Sequence, residues 1–102
     1  MSNFVRVASI SDLNPGENKV VFIEGEEIAL FNIDGEFFAI SNACPHQGGP
    51  LREGSLEGDV ITCPLHGWRF NVKNGINAVM PNIKVPCYQV KVEGQNILVS
   101  LD

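Results

Sequence analysis

The stretch Glu27-Ile28-Ala29-Leu30-Phe31-Asn32-Ile33-Asp34-Gly35-Glu36-Phe37-Phe38-Ala39-Ile40 decides the fold class. Two short runs of strand-favouring residues flank Asp34-Gly35, the pair that favours a tight two-residue hairpin. The same pattern recurs outward from this point. Upstream, Lys19 to Ile23 is rich in Val and Ile. Downstream, Asp59 to Thr62 reads as a short buried strand. Trp68 to Val72 and a strand from Ile76 onward flank Asn74-Gly75, a second turn signal. Val85 to Val92 and Gln95 to Leu101 flank Glu93-Gly94, a third. Helical signals are confined to Ser9–Leu13, one turn with Ser9 or Ser11 as cap and Pro15 as stop. There is no repeat, no low-complexity segment and no long helix. The expected class is all-β, a small sandwich or barrel of antiparallel strands.

At 102 residues the chain is expected to form one domain, residues 1–102. Hydrophobic residues make up 44% and charged residues 19%, which excludes a disordered or membrane-embedded class. A chain this short has a thin core, so a bound metal would add stability. The formal charge of −5 argues against nucleic acid as a partner, because phosphate binding needs clustered Lys and Arg. It suits a basic protein partner, since complementary charge speeds encounter. Met1 to Ile10 has no long apolar run, so neither a signal peptide nor a membrane anchor is expected there. Three cysteines is an odd count. Two lie beside histidines, and Cys87 stands alone in an apolar stretch, where a buried, inert thiol is expected. This pattern argues against a disulfide framework and for metal ligation in a reducing compartment, the cytoplasm.

The middle of the chain differs in character. Ser41-Asn42-Ala43-Cys44-Pro45-His46-Gln47-Gly48-Gly49-Pro50-Leu51 is a loop by composition, and so is Cys63-Pro64-Leu65-His66-Gly67. Met80-Pro81-Asn82 gives a third loop signal. Each of the first two loops places one cysteine and one histidine within three residues, so local geometry alone holds a thiolate and an imidazole close together. Pro45 and Pro64 stiffen the chain after each cysteine. Gly48, Gly49 and Gly67 allow close backbone approach and free N–H groups to point inward. Donors aimed at sulfur stabilise added negative charge, which raises a cluster's reduction potential. Cys44, His46, Cys63 and His66 are therefore the candidate metal ligands. Two sites satisfy this donor set, a closed tetrahedral zinc and a [2Fe–2S] cluster with two Cys on one iron and two His on the other. Zinc fingers usually pair Cys with Cys and His with His. One of each per loop suits two loops clasping a two-iron unit.

Cys44-Pro45-His46 and Cys63-Pro64-Leu65-His66-Gly67-Trp68 resemble the paired motif of Rieske proteins. The spacing, Gly48-Gly49 and Gly67 are similar to the family, and Met80-Pro81-Asn82 looks like the proline loop that covers its cluster. The resemblance implies a Rieske-like antiparallel β-sandwich with a small cluster-binding lobe, the loops falling within about residues 41–82. It implies one [2Fe–2S] cluster per chain, bound by Cys44, His46, Cys63 and His66. Respiratory-chain members carry an extra cysteine in each loop, joined as a disulfide. Gly49 (or Gly48) and Leu65 occupy those places here. Trp68 and Phe70 stand where those proteins place Ser and Tyr hydroxyls. Fewer donors to sulfur imply a potential at the low end of the Rieske range, near about −150 mV.

The resemblance then points to the ferredoxins that serve aromatic-ring dioxygenases. It implies a soluble electron carrier, not an enzyme in its own right, passing single electrons from a flavin-containing reductase to a terminal oxygenase. Histidine ligation leaves the oxidised cluster near zero charge, where four cysteines would leave it near −2, so adding an electron is easier. Pro81 and Trp68 would shield the site, and Arg52, Glu53, Glu57 and Asp59 are either a docking rim or solvated charges. Two other readings remain beside this one: a small subunit of a nitrite-reductase-like complex, and a zinc-stabilised interaction module.

Overall fold

The computed structural model describes residues 4–43, 50–64 and 67–100. Its strands are β1 (Phe4–Ser9), β2 (Asn18–Ile23), β3 (Glu26–Ile33), β4 (Glu36–Ser41), β5 (Ser55–Glu57), β6 (Val60–Thr62), β7 (Arg69–Asn71), β8 (Cys87–Glu93) and β9 (Asn96–Ser100). They form two antiparallel sheets. The larger has the order β1-β9-β8-β4-β3-β2, and the smaller β5-β6-β7. The all-β class is as expected. The larger sheet curls until its edge strands β1 and β2 approach, giving a nearly closed barrel, and the smaller sheet is the lobe.

β3 shows why the lobe belongs where it is. Its run Ile28–Phe31 is apolar at consecutive positions and fully buried, because both faces of the strand are covered. Ile28 and Leu30 pack inside the barrel with Val21, Ile23, Ala39, Ile97 and Val99. Ala29 and Phe31 face the other way, against Ile40, Leu51, Ile61, Cys63 and Phe70 of the lobe side. Alternation along one strand thus feeds two cores. Burying a side chain the size of Phe31 or Phe70 contributes about 1.5–3 kcal/mol, enough to hold the lobe on the barrel.

The turns follow local chemistry, with two departures from expectation. Asp34 and Gly35 both have positive φ, +53° and +91°, the tight hairpin foreseen between Ile33 and Glu36. Glu24-Gly25 makes a similar turn, which no Asn or Asp announces. The third hairpin is displaced by one residue. Glu93 pairs with Asn96, so the turn is Gly94-Gln95 with positive φ at Gly94 only. Asn74-Gly75 is no two-residue turn. The chain loops through Val72–Gly75, Gly75 N–H donating to Asn71 O at 2.7 Å, and the strand expected from Ile76 reduces to bridges at Ile76 and Asn77. The helical turn is the 3-10 segment Ile10–Asp12 after Ser9, whose N–H donates to Asp12 Oδ2 at 2.9 Å. β5 had no clear signal in the sequence, since Ser55–Glu57 carries a single apolar residue, Leu56.

Cys87 corrects an expectation. It is exposed, not buried, because β8 enters the sheet at its end and pairs there only with Ile40. Its Sγ lies 3.5 Å from the Lys73 carbonyl oxygen, and partial desolvation pushes the thiol pKa up. Native protein should therefore label at Cys87, but more slowly than a free cysteine at the same pH, the rate rising as the thiolate forms. Alkylation rates against pH, followed by mass spectrometry, check this. No labelling at any pH short of denaturation would contradict the exposure.

Candidate metal centre

Of the four expected ligands, Cys63 is described. Cys44, His46 and His66 lie outside the described residues. Cys63 follows β6 directly and is 3% exposed, its side chain part of the core between barrel and lobe. It forms no disulfide. The ladder of β6 and β7 ends at the pair Thr62 and Arg69. Beyond it Cys63 N–H donates to Trp68 O at 2.6 Å and Gly67 N–H to Cys63 O at 3.1 Å. Gly67 has φ +74°, a conformation that an L side chain rarely adopts. The loop carrying His66 is therefore pinched at its base, so Cys63 and Gly67 stay together.

The first loop is pinched in the same way. Ala43 and Pro50 face each other as an isolated antiparallel bridge, closing the segment that carries Cys44 and His46. Asn42, 2% exposed, holds that neck from inside. Its backbone N–H donates to Glu27 O, its side-chain Nδ2 to Glu27 Oε2 at 2.7 Å, and its Oδ1 accepts from Arg52 N at 2.8 Å. Its own carbonyl accepts from Leu51 N at 2.7 Å. A buried carboxamide with both ends satisfied fixes the loop's entry and exit against β3.

Gly54 brings the two loops side by side. A Cβ built on it would lie 1.7 Å from Thr62 O, so the exit of the first loop presses on the last residue before Cys63. Only glycine permits that approach.

The third loop lies beside the second. Asn77 bridges to Phe70, and Ala78 N–H donates to Arg69 O at 2.8 Å, so the chain runs on alongside Trp68. Asn77 Oδ1 accepts from both Val79 N and Met80 N at 2.8 Å, and Ile83 N–H closes onto Met80 O. Val79, Met80 and Pro81 are exposed at its tip. Trp68 is half-buried against the core, its ring 6.5 Å from that of Phe70. Of the charges between the loops, Arg52 is tied to Asn18 and Asp59 pairs with Lys73 at 3.4 Å. These are exposed contacts, each worth little to stability. Sequence reasoning passed over Asn42, Gly54 and Asn77. The only available cue was a polar residue or glycine close to each loop.

Two necked loops clasped side by side, one presenting a buried reduced thiol, make a fitting seat for a metal centre. Residues 3–99 match the Rieske [2Fe-2S] domain, and the chain belongs to that family. Its cofactor is one [2Fe–2S] cluster per chain, which removes the zinc alternative. The chain is 37% identical over 98 residues to the biphenyl dioxygenase ferredoxin subunit of Pseudomonas sp. strain KKS102, covering 94% of this chain and 90% of that one. It is similar to the ferredoxin of carbazole 1,9a-dioxygenase from Nocardioides aromaticivorans IC177, with TM-score 0.87, 35% identity, and 95% and 96% of the two chains covered. It is also similar to a chain of a complex of reduced oxygenase and oxidized ferredoxin in carbazole 1,9a-dioxygenase, with TM-score 0.88, 33% identity, and 97% and 94% covered. The relatives named as ferredoxin components make this an electron-transfer protein rather than a catalytic one. Among the described residues no helix is long and apolar enough to cross a membrane.

Proposed function

We propose that this chain is a cytoplasmic electron carrier that receives single electrons from a flavin-containing ferredoxin reductase and delivers them to the terminal oxygenase of an aromatic-ring dioxygenase system. The domain is residues 1–102, with the ligand loops within residues 41–82. Cys44 and Cys63 would hold one iron, and His46 and His66 the other. The bound cluster supplies one-electron chemistry. The protein's part is to hold four ligands still, keep water from the sulfurs and present the site to a partner. The buried, unpaired Cys63 thiol at a pinched loop is the observation that carries this reading. The ferredoxin–oxygenase complex of a similar protein supports the choice of acceptor. The net charge of −5 suits basic partner surfaces.

The test is a reduced-state paramagnetic resonance spectrum with metal analysis of purified protein. A Rieske spectrum with two irons per chain is expected. Colourless protein holding zinc would overturn the proposal. The potential is expected near about −150 mV by protein-film voltammetry, since Phe70, fully buried in an apolar core, offers no O–H donor. A strongly positive value would refute that argument.

A further inference from the structure

We propose that Asn77 is a positioning residue of the redox site, fixing the Val79–Met80 turn beside the Cys63 loop and keeping that side of the lobe free of negative charge. This rests on the reading of the site given above.

Asn77 is 3% exposed, and its carboxamide is used unevenly. Oδ1 accepts two backbone N–H bonds, from Val79 and Met80. Nδ2 is buried with no hydrogen-bond partner, the one such side-chain nitrogen or oxygen among the described residues. An unsatisfied buried donor is unfavourable, and each such case calls for a reason. An aspartate would serve the turn better: its oxygens also accept from two N–H groups, and no donor would be stranded. What asparagine adds is neutrality, together with the positive end of an amide dipole inside the lobe.

The register shows which group feels that difference. Ile61 pairs with Phe70, and Phe70 with Asn77. Directly paired residues share a face, and Cys63, two residues after Ile61, shares it too. Asn77 and Cys63 therefore lie on one face of the lobe, two strands and two residues apart, roughly 12 Å by ordinary strand spacing. At an effective dielectric of about 20, a unit charge at that distance changes a one-electron equilibrium by about tenfold. A site that gains an electron would bind it less well beside a carboxylate. The neutral amide holds the loop without that penalty.

The test uses the cluster-loaded protein. The wild-type paramagnetic resonance spectrum is recorded first, and if it is not of Rieske type the site reading fails, independently of Asn77. Given that spectrum, Asn77→Asp is expected to keep iron content and lower the reduction equilibrium constant about tenfold, a downward shift of about 59 mV for a one-electron couple. Asn77→Ala loses both turn bonds and should speed iron loss to a chelator several-fold, with a smaller change in potential. Asn77→Asp is measured at pH 7 and pH 9, each against wild type, so that a protonated carboxyl cannot hide the effect. An unchanged potential at both pH values in folded Asn77→Asp protein, or chelator kinetics unchanged in Asn77→Ala, would overturn the proposal. If Asn77→Asp does not fold, Asn77→Ser, which keeps one acceptor and no charge, must leave the potential near wild type and slow iron loss relative to Asn77→Ala.

Discussion

Cys63→Ser, His46→Ala and His66→Ala are each expected to give colourless protein with no Rieske spectrum and less than one iron per chain. A hydroxyl stays protonated at neutral pH and is a poor ligand where a thiolate is needed. Removing an imidazole leaves an iron with an open position. In Cys63→Ser the loss is compounded, because residue 63 sits in an apolar core at 3% exposure. Burying a hydroxyl there without a partner costs about 1–3 kcal/mol. Losing a cofactor that binds only the folded state removes its binding energy as well. For a chain of this length each kcal/mol lowers Tm by about 4–8 °C, so a fall of more than about 10 °C is expected for Cys63→Ser. Iron analysis, the visible spectrum and thermal melts check these outcomes. Cys87→Ser is the control: the residue is exposed at the start of β8, and full iron content is expected. A histidine variant that keeps the Rieske spectrum would show that ligand to be misassigned.

Gly54→Ala is expected to be the most damaging glycine-to-alanine change among the described residues. The added carbon would sit 1.7 Å from Thr62 O and 2.8 Å from Thr62 C, both backbone atoms that cannot rotate away. Either the 3-10 turn Leu51–Glu53 lifts off, or β6 is pushed back with Cys63 at its end. Overpacking of this kind costs about 3 kcal/mol, a fall in Tm of about 12–24 °C. Because the displaced atoms join the two ligand loops, cluster retention should fall with stability. Gly58→Ala is the comparison. Gly58 also lies in the lobe, at φ +60°, but a Cβ there meets nothing within 4 Å. It should cost about 1 kcal/mol from backbone strain alone and keep the cluster. Equal losses in the two variants would show that the clasp at Thr62 has no special part.

Much of this protein was legible in one dimension. The apolar run Ile28–Phe31 and the Asp34-Gly35 turn announced a hairpin, and alternation with turn residues announced an all-β chain, because strand period and turn chemistry are local properties. The proposed donor set Cys44, His46, Cys63 and His66 came from the sequence on the same local ground, each cysteine lying within three residues of a histidine. Where local rules failed, a partner distant in sequence had the deciding role. Glu93 went into β8 because Asn96 pairs with it. Asn74-Gly75 became part of a wider loop because Val85 N–H donates to Gly75 O. Cys87 came to the surface because β8 begins at the barrel's end.

By itself, then, the sequence determined the class of fold and supplied the candidate ligands, both read from residues within a few positions of one another. The tertiary structure alone decided how the ligand loops are held. Asn42 ties the first loop to Glu27 across 15 positions of chain. Gly54 presses it onto Thr62. Asn77 holds the third loop while leaving a buried donor unpaired. The physical reason is that close approach and hydrogen-bond satisfaction belong to pairs of groups in space, and a single chain position carries no record of what it will meet.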